Sequence, residues 1–330
     1  MSVASPSQLG NSGSPADRLR EKLERELGPK VMGLLSDPTV VEVMLNPDGQ
    51  LWVERQGADM ECVGTMTAHS ALSVMSTVAT FLDTEITREN PVLECELPID
   101  GSRFEALRPP IVRAPTFAIR TKARSVFTLA DYVERGIMTR AQMELLETAV
   151  RDRKNILVSG GTGSGKTTLS NAIIHAISVV HPNDRILIIE DTGELQCAAQ
   201  NAVIMRAYEN VSMERLLKAS LRLRPDRILV GEVRDGSALT LIEAWNTGHP
   251  GGIATVHSDV ADPESALLRM ESLVARATQA PQHALIAKAV NVIVTIAKTA
   301  DGRKVRAITQ VQEWDTTERR YRLTTMENQP

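Results

Sequence analysis

Gly160, Gly161, Gly163 and Gly165 stand close together and run straight into Lys166, Thr167 and Thr168. Written in order, Gly160-Gly161-Thr162-Gly163-Ser164-Gly165-Lys166-Thr167 fills the pattern GxxxxGK[ST] at every fixed position. Residues without side chains leave backbone N–H groups uncovered, so a loop of them can turn its amides inward onto phosphate oxygens. A helix beginning at the loop's end adds the partial positive charge of its N-terminus. Lys166 is then expected on the β- and γ-phosphates, and the Thr167 hydroxyl on Mg²⁺. The expected nucleotide-binding set is Gly160, Gly161, Thr162, Gly163, Ser164, Gly165, Lys166, Thr167 and Thr168, with ATP and Mg²⁺ as cofactors. The bland alternative is a glycine-rich turn that merely joins a strand to a helix. Context outweighs it: Ile156-Leu157-Val158 reads as a strand ahead of the loop, and residues 168–174 continue as a helix.

A site of this kind needs an acid near Mg²⁺ and a group that orients the attacking water. Two apolar runs end in carboxylates. Ile186-Leu187-Ile188-Ile189 leads into Glu190-Asp191, and Ile228-Leu229-Val230 leads into Gly231-Glu232. Gly231 stands where many phosphate-loop enzymes carry the magnesium-binding Asp. Glu232 remains, and either Glu190 or Asp191 can supply the missing function. A third run, Ile253-Ala254-Thr255-Val256, ends in His257, placed to face a bound γ-phosphate. His249 lies in the glycine-rich loop ahead of that run, where a surface role is as good a reading. Arginines gather at Arg103, Arg108, Arg113, Arg120 and Arg124. Hydrolysis at such sites often takes an arginine from outside the core domain to neutralise transition-state charge. On a separate N-terminal domain, that arginine would act only when the domain closes.

The elements that must position these groups follow from periodicity and turn chemistry. Residues 1–16, rich in Ser, Pro and Gly, are expected to be a flexible leader without the apolar stretch of a signal peptide. A charged helix is expected over 17–27, stopped by Gly28-Pro29. Hairpins are expected across Asn46-Pro47-Asp48-Gly49 and Asp100-Gly101, with a helix over 68–82 and a further strand over 116–120. This is a small α+β domain over 17–120. Polar and basic residues then suggest a linker or hinge over 121–138. From Thr139, which forms a capping-box pattern with Gln142, the texture changes. Short β-branched runs at 155–159, 185–190, 227–230 and 252–256 alternate with helices. That pattern predicts an α/β domain over 139–330 with a mostly parallel, doubly wound sheet. Sites in such sheets gather at the C-terminal strand ends, where the motifs fall.

Composition narrows the class. With 42% hydrophobic and 24% charged residues the chain reads as globular, and with only 3% aromatics its cores must be largely aliphatic. A formal net charge of −4 gives no general attraction to phosphate backbones, so extensive direct nucleic-acid binding is not expected. Cys62, Cys95 and Cys197 are far apart and form no CxxC pair, which suits a reducing cytoplasm. The longest apolar run, 290–297, is too short to span a bilayer.

Four blocks stand in order: GGTGSGKTT, IIEDTGEL, LRLRPDRILVGEVRD and TGHPGGIATVHS. Together, across roughly residues 139–257, they resemble the secretion ATPase family, the hexameric motors of type II secretion, type IV secretion and type IV pili. The resemblance implies a RecA-like core and identifies the last three blocks with that family's Asp box, atypical Walker B and His box. Gly231 is then a family trait. A short chain, a single N-terminal domain, no tetracysteine element and the segment SDPTVVEVMLNPDGQLWVERQG point to the conjugative type IV branch. The resemblance further implies a cytoplasmic homohexamer docked peripherally on inner-membrane components of a secretion or conjugation channel. Nucleotide would lie between the two domains, with Lys166 and Thr167 on phosphate and metal. It assigns Glu190 and Glu232 to catalysis and to Mg²⁺, directly or through water, and His257 to the His-box position. Arg103, Arg120 and Arg124 take the places of charge-neutralising contacts. A pilus-retraction or type II secretion ATPase is the nearest alternative. A nucleic-acid translocase fits the charge less well, and a non-hydrolysing scaffold would not need both glutamates.

Overall fold

The computed structural model describes residues 14–55, 57–122, 127–208, 210–258 and 262–325. The chain divides into two compact units, Met1–Arg124 and Ser125–Pro330.

The first unit opens with α1 (Pro15–Ser36), capped by Ser14: its hydroxyl accepts from the Asp17 N–H while the Asp17 carboxylate accepts from the Ser14 N–H. The leader expected over 1–16 therefore ends earlier in its described part, because Ser14 is already a helix cap. The stop expected at Gly28-Pro29 is a break within the element. Gly28 leaves helical geometry (φ 75°, ψ 166°), and Pro29 restarts a second helical stretch where its missing N–H costs nothing. The strands β1 (Val40–Leu45), β2 (Gln50–Arg55) and β3 (Glu61–Thr65) lead to α2 (Ala68–Phe81). After it come β4 (Val92–Glu96), β5 (Arg103–Leu107) and β6 (Thr116–Arg120). They pair antiparallel in the order β3-β2-β1-β6-β5-β4. Alternate residues such as Val43, Val53, Phe104 and Ile119 join Leu23, Val31, Val74 and Val78 of the two helices in one apolar core.

The second unit begins with α3 (Leu129–Glu134) and α4 (Arg140–Arg151), the latter capped reciprocally by Thr139 and Gln142 as the sequence pattern predicts. Part of the stretch read as a linker over 121–138 is thus an element of this unit, since Leu129 and Tyr132 of α3 are buried in its core. The alternating run follows: β7 (Ile156–Gly160), α5 (Lys166–Val180), β8 (Ile186–Glu190), β9 (Ala202–Arg206), α6 (Met213–Ser220), β10 (Arg227–Val230), α7 (Ser237–Asn246) and β11 (Ile253–His257). Next come α8 (Pro263–Val274), α9 (His283–Ala289), β12 (Val292–Thr299), β13 (Gly302–Asp315) and β14 (Arg320–Thr325).

The sheet order is β14-β13-β12-β7-β11-β10-β8-β9, parallel from β12 through β9, with β13 and β14 added antiparallel at one edge. Every residue of β7, β8 and β10 is buried, which is why these strands read as unbroken apolar runs. Neighbouring residues serve opposite faces. Leu157 packs in the layer with α7, α8 and α9, whereas Ile156 and Val158 pack in the layer with α3, α4 and α5. Parallel pairing sends the C-terminal ends of β7, β8, β10 and β11 to one edge of the sheet.

Candidate active site

The glycine loop leaves β7 at that edge and enters α5. Gly165 caps the helix with φ 96°, a left-handed conformation in which a side chain is strained, so the cap has to be backbone alone. Thr162 and Gly163 are the exposed apex, while Thr167 and Thr168 are partly exposed in the first turn of α5. Lys166 is folded onto its own loop, its Nζ donating to the carbonyls of Gly160 (2.8 Å) and Gly161 (2.9 Å). From β13, Arg303 donates its Nε–H to the Gly163 carbonyl (3.1 Å). Ser164 is buried with its hydroxyl free of any hydrogen-bond partner.

Glu190 ends β8 and is almost fully enclosed, at 1% exposure. Its Oε2 accepts from the Leu195 backbone N–H (2.9 Å), and Oε1 has no hydrogen-bond partner. Burial pushes this carboxyl above the usual range; the backbone N–H groups of Leu195 and Glu194 and the charge of Arg206 act against that shift without cancelling it. The loop after Glu190 is pinned by α5. Asn171 donates to the Glu194 carbonyl (3.1 Å) and accepts from the Gln196 N–H (2.9 Å), so the phosphate-loop helix and the acidic loop are joined directly.

Gly231 follows β10 beside Glu190. A Cβ built on Gly231 would lie 3.0 Å from the Glu190 Cβ, so glycine here makes room for the buried acid. Beyond it, Arg234 joins two other carboxylates, with Nε on Glu232 Oε2 (2.5 Å) and Nη1 on Asp191 Oδ2 (3.0 Å). Desolvation works to lower the Arg234 pKa, but Glu232 and Asp191 outweigh it and hold the guanidinium more firmly charged than usual. Asp191 is thereby an ion-pair partner, while Glu190 is the enclosed acid.

His257 closes β11 in register with Gly160 of β7, and the next backbone N–H, Ser258, donates to the Gly160 carbonyl (3.3 Å). Thr255 of the same strand donates its hydroxyl to the Gly231 carbonyl (2.7 Å), tying the histidine strand to the Gly-Glu turn. His249 precedes β11 and so lies at the opposite edge of the sheet. Its Nδ1 meets the Ala244 carbonyl (3.2 Å), a local contact that anchors the loop.

The structure therefore gathers Lys166, Thr167, Glu190, Glu232 and His257 at the ends of four parallel strands. In the first unit, Arg103 and Arg120 are cross-strand partners on β5 and β6, flanked in register by Glu96 and Glu42. Arg124 lies outside the described residues. Sequence reasoning missed Asn171, Arg234 and Arg303. Arg234 had a signal, standing two residues past Glu232. Asn171 and Arg303 had none, because an isolated polar residue on a helix or strand reads as solvent-facing.

Against known proteins, residues 26–325 match the family model described as "Type II/IV secretion system protein". The chain is 52% identical over 297 residues to a protein of Sinorhizobium fredii described as "Probable conjugal transfer protein TrbB", covering 90% of this chain and 91% of that protein. It is 31% identical over 273 residues to the type IV secretion system protein VirB11 of Bartonella quintana, covering 70% of this chain and 76% of that one. A solved structure of the pilus retraction motor PilT with bound ADP shares the fold, with a TM-score of 0.63 and 19% identity over 88% of this chain and 84% of that chain.

Proposed function

Because this chain belongs to the type II/IV secretion system protein family, we propose that it works as a homohexameric ring motor whose cycle is driven at the Gly160 to Thr168 loop. The chain is an ATPase of type IV secretion and conjugative transfer. The observation that carries the finer reading is the convergence of a complete phosphate loop, two glutamates and a histidine on one edge of a parallel sheet. The inserted strand β11 between the loop strand and the Gly-Glu strand supports a RecA-like core, with a smaller α+β domain ahead of it.

In this reading, Lys166 leaves the Gly160 and Gly161 carbonyls for the β- and γ-phosphates, which are stronger, charged acceptors. The amides of Gly161 to Thr168 carry the remaining phosphate charge. Magnesium suits the donor set present: the Thr167 hydroxyl and the carboxylates of Glu232 and Glu190 are all hard oxygens, and Glu190 Oε1 is still unpartnered. An ion held there, directly or through water, would neutralise charge on the β- and γ-phosphates. Glu190 orients and deprotonates the attacking water, a role that its burial favours by making the carboxylate a better proton acceptor. His257, beside the loop's first residue, reports whether the γ-phosphate is present. Arg103, Arg120 and Arg124 supply transition-state charge from the N-terminal domain and the stretch that follows it.

Hydrolysis removes the γ-phosphate, and with it the differential contact that favours one state over another. A ring of such subunits, cytoplasmic and docked on inner-membrane components of a conjugation channel, would turn that cycle into pilus assembly or substrate transfer. No helix among the described residues is long and apolar enough to cross a membrane, so attachment in this reading is peripheral. Steady-state turnover tests the core claim. Lys166→Ala is expected to lower ATPase activity by about a hundredfold or more, with wild-type melting behaviour, and retained turnover would refute it.

A further inference from the structure

Arg303 has no place in these motifs, yet from β13 its side chain touches the glycine loop. Its Nε–H sits on the Gly163 carbonyl (3.1 Å), and its Cδ lies 3.0 Å from where a Cβ on Gly165 would be. The strand that delivers it is fixed on both sides. On β12, Lys298 is in register with Arg303, and the Thr299 hydroxyl closes the turn by donating to the Gly302 carbonyl (2.8 Å). On the other side, the Val305 N–H donates to the Ile137 carbonyl (2.8 Å), the Gln142 side-chain amide donates to the Val305 carbonyl (3.3 Å), and Lys304 reaches the Gly136 carbonyl. The backbone at 303 is thus held, and the guanidinium is the part with freedom to move.

The charge balance gives that freedom a purpose. Arg153, Arg227 and Arg234 are each paired with carboxylates. Among the described residues, Arg303 makes no ion pair. Its acceptor is a neutral carbonyl of the same loop on which Lys166 rests through Gly160 and Gly161. A guanidinium whose acceptor on an anion-shaped loop is a neutral backbone carbonyl leaves positive charge there for an anion to neutralise. A phosphate oxygen is a stronger acceptor for a guanidinium than a peptide carbonyl and matches its fork.

We propose that Arg303 is a further nucleotide-binding residue: its guanidinium passes from the Gly163 carbonyl to the phosphates of the bound nucleotide, acting from within the same subunit. The proposal rests on the reading that the glycine loop binds ATP. Sequence patterns do not reveal it, because more than 130 residues separate Arg303 from the loop it serves.

Equilibrium binding of fluorescently labelled ADP and of adenosine, together with KM and kcat for ATP, tests it on the full-length chain with Arg303→Ala, Arg303→Lys and Lys166→Ala. Arg303→Ala is expected to weaken ADP binding and raise KM by about tenfold, the worth of one charge-assisted hydrogen bond. Adenosine affinity and the melting temperature should be unchanged, kcat should change far less than KM, and Arg303→Lys should recover part of the loss. ADP binding at wild-type strength in Arg303→Ala, or an equal loss for adenosine, would overturn the assignment. A fall in kcat with KM unchanged would likewise make Arg303 a strut of the loop rather than a ligand contact. Lys166→Ala separates the two levels. If it still binds ADP normally, the reading of the loop fails, whereas loss in Lys166→Ala with none in Arg303→Ala removes this inference alone.

Discussion

Gly231 and Glu190 share one small volume at the ends of neighbouring strands, and that sharing accounts for the residue that looks missing from the acidic motif. An Asp at 231 would have to place its Cβ about where it meets the Cβ of Glu190, 3.0 Å away. Because the Glu190 Cβ is tied to a strand end, it can yield only by moving the carboxylate. Gly231→Ala is therefore expected to lower kcat by on the order of tenfold to a hundredfold, since small misplacements of a reacting group cost that much. Labelled-ADP affinity should stay within about twofold, because the phosphate loop is untouched. Glu190→Gln keeps the size of the side chain and removes its basicity, so single-turnover hydrolysis should fall by about a hundredfold or more. Normal hydrolysis in that variant would move the water-orienting role to another acid. The glutamates themselves were legible in the sequence as the ends of apolar runs. Which of them is enclosed and which is ion-paired was not, because Arg234 selects Asp191 and Glu232 only once the strands lie side by side.

At the scale of elements, the edge of the sheet away from the loop is held by charge. Arg227 is fully buried. Its Nε donates to Asp184 (2.7 Å) and its Nη1 to the Gly251 carbonyl (2.9 Å), while Arg153 reaches the other oxygen of Asp184 (2.5 Å). These bonds tie the starts of β8, β10 and β11 to the turn before β7, and so fix the strands whose far ends carry Glu190, Glu232 and His257. Burial works to raise the Asp184 pKa, but the hydrogen bonds and charges of Arg227 and Arg153 prevail and hold it below the usual carboxylate range. Asp184→Asn leaves Arg227 buried without a counter-charge and is expected to cost about 3 kcal/mol in urea denaturation. A carboxyl with a lowered folded pKa contributes its stability in full above its unfolded pKa and loses it as pH falls through the folded value. The gap between wild type and variant should therefore be constant near neutrality and narrow below pH 3.8. A gap that does not depend on pH there would mean that Asp184 is not charged in the folded protein. None of this network was read from the sequence, in which Arg227 is one arginine among several in a basic run.

For the whole molecule, the first unit contributes a row of charge across its sheet, Glu96, Arg103, Arg120 and Glu42 in register, with the two arginines side by side between the glutamates. Burial raises the Glu42 pKa, with Arg120 and Arg103 opposing and Glu54 adding to the rise. If these arginines complete a neighbouring or closing site, ATP turnover per subunit should rise with protein concentration as the ring assembles. Arg103→Ala and Arg120→Ala should then each lower the plateau, by on the order of a thousandfold for the arginine that reaches the transition state. Light scattering with nucleotide would report the assembly itself. Turnover that is flat across concentration and indifferent to both arginines would place the complete site within one second unit.

Local elements and the order of the motifs are written in the amino-acid sequence. Glycine spacing, capping residues and apolar runs act over a few residues, and their consequences are written where they occur. The hairpins at Asn46-Pro47-Asp48-Gly49 and Asp100-Gly101, the parallel strands, the phosphate loop and the family follow from such signals. Pairing over long distances came from the folded chain alone: Gly231 against Glu190, Asn171 against the acidic loop, Asp184 between Arg153 and Arg227, and Arg303 on the loop. Each depends on strand order in a sheet, and a parallel sheet brings together residues that the chain separates by whole βα units, so no local pattern specifies who the neighbours will be.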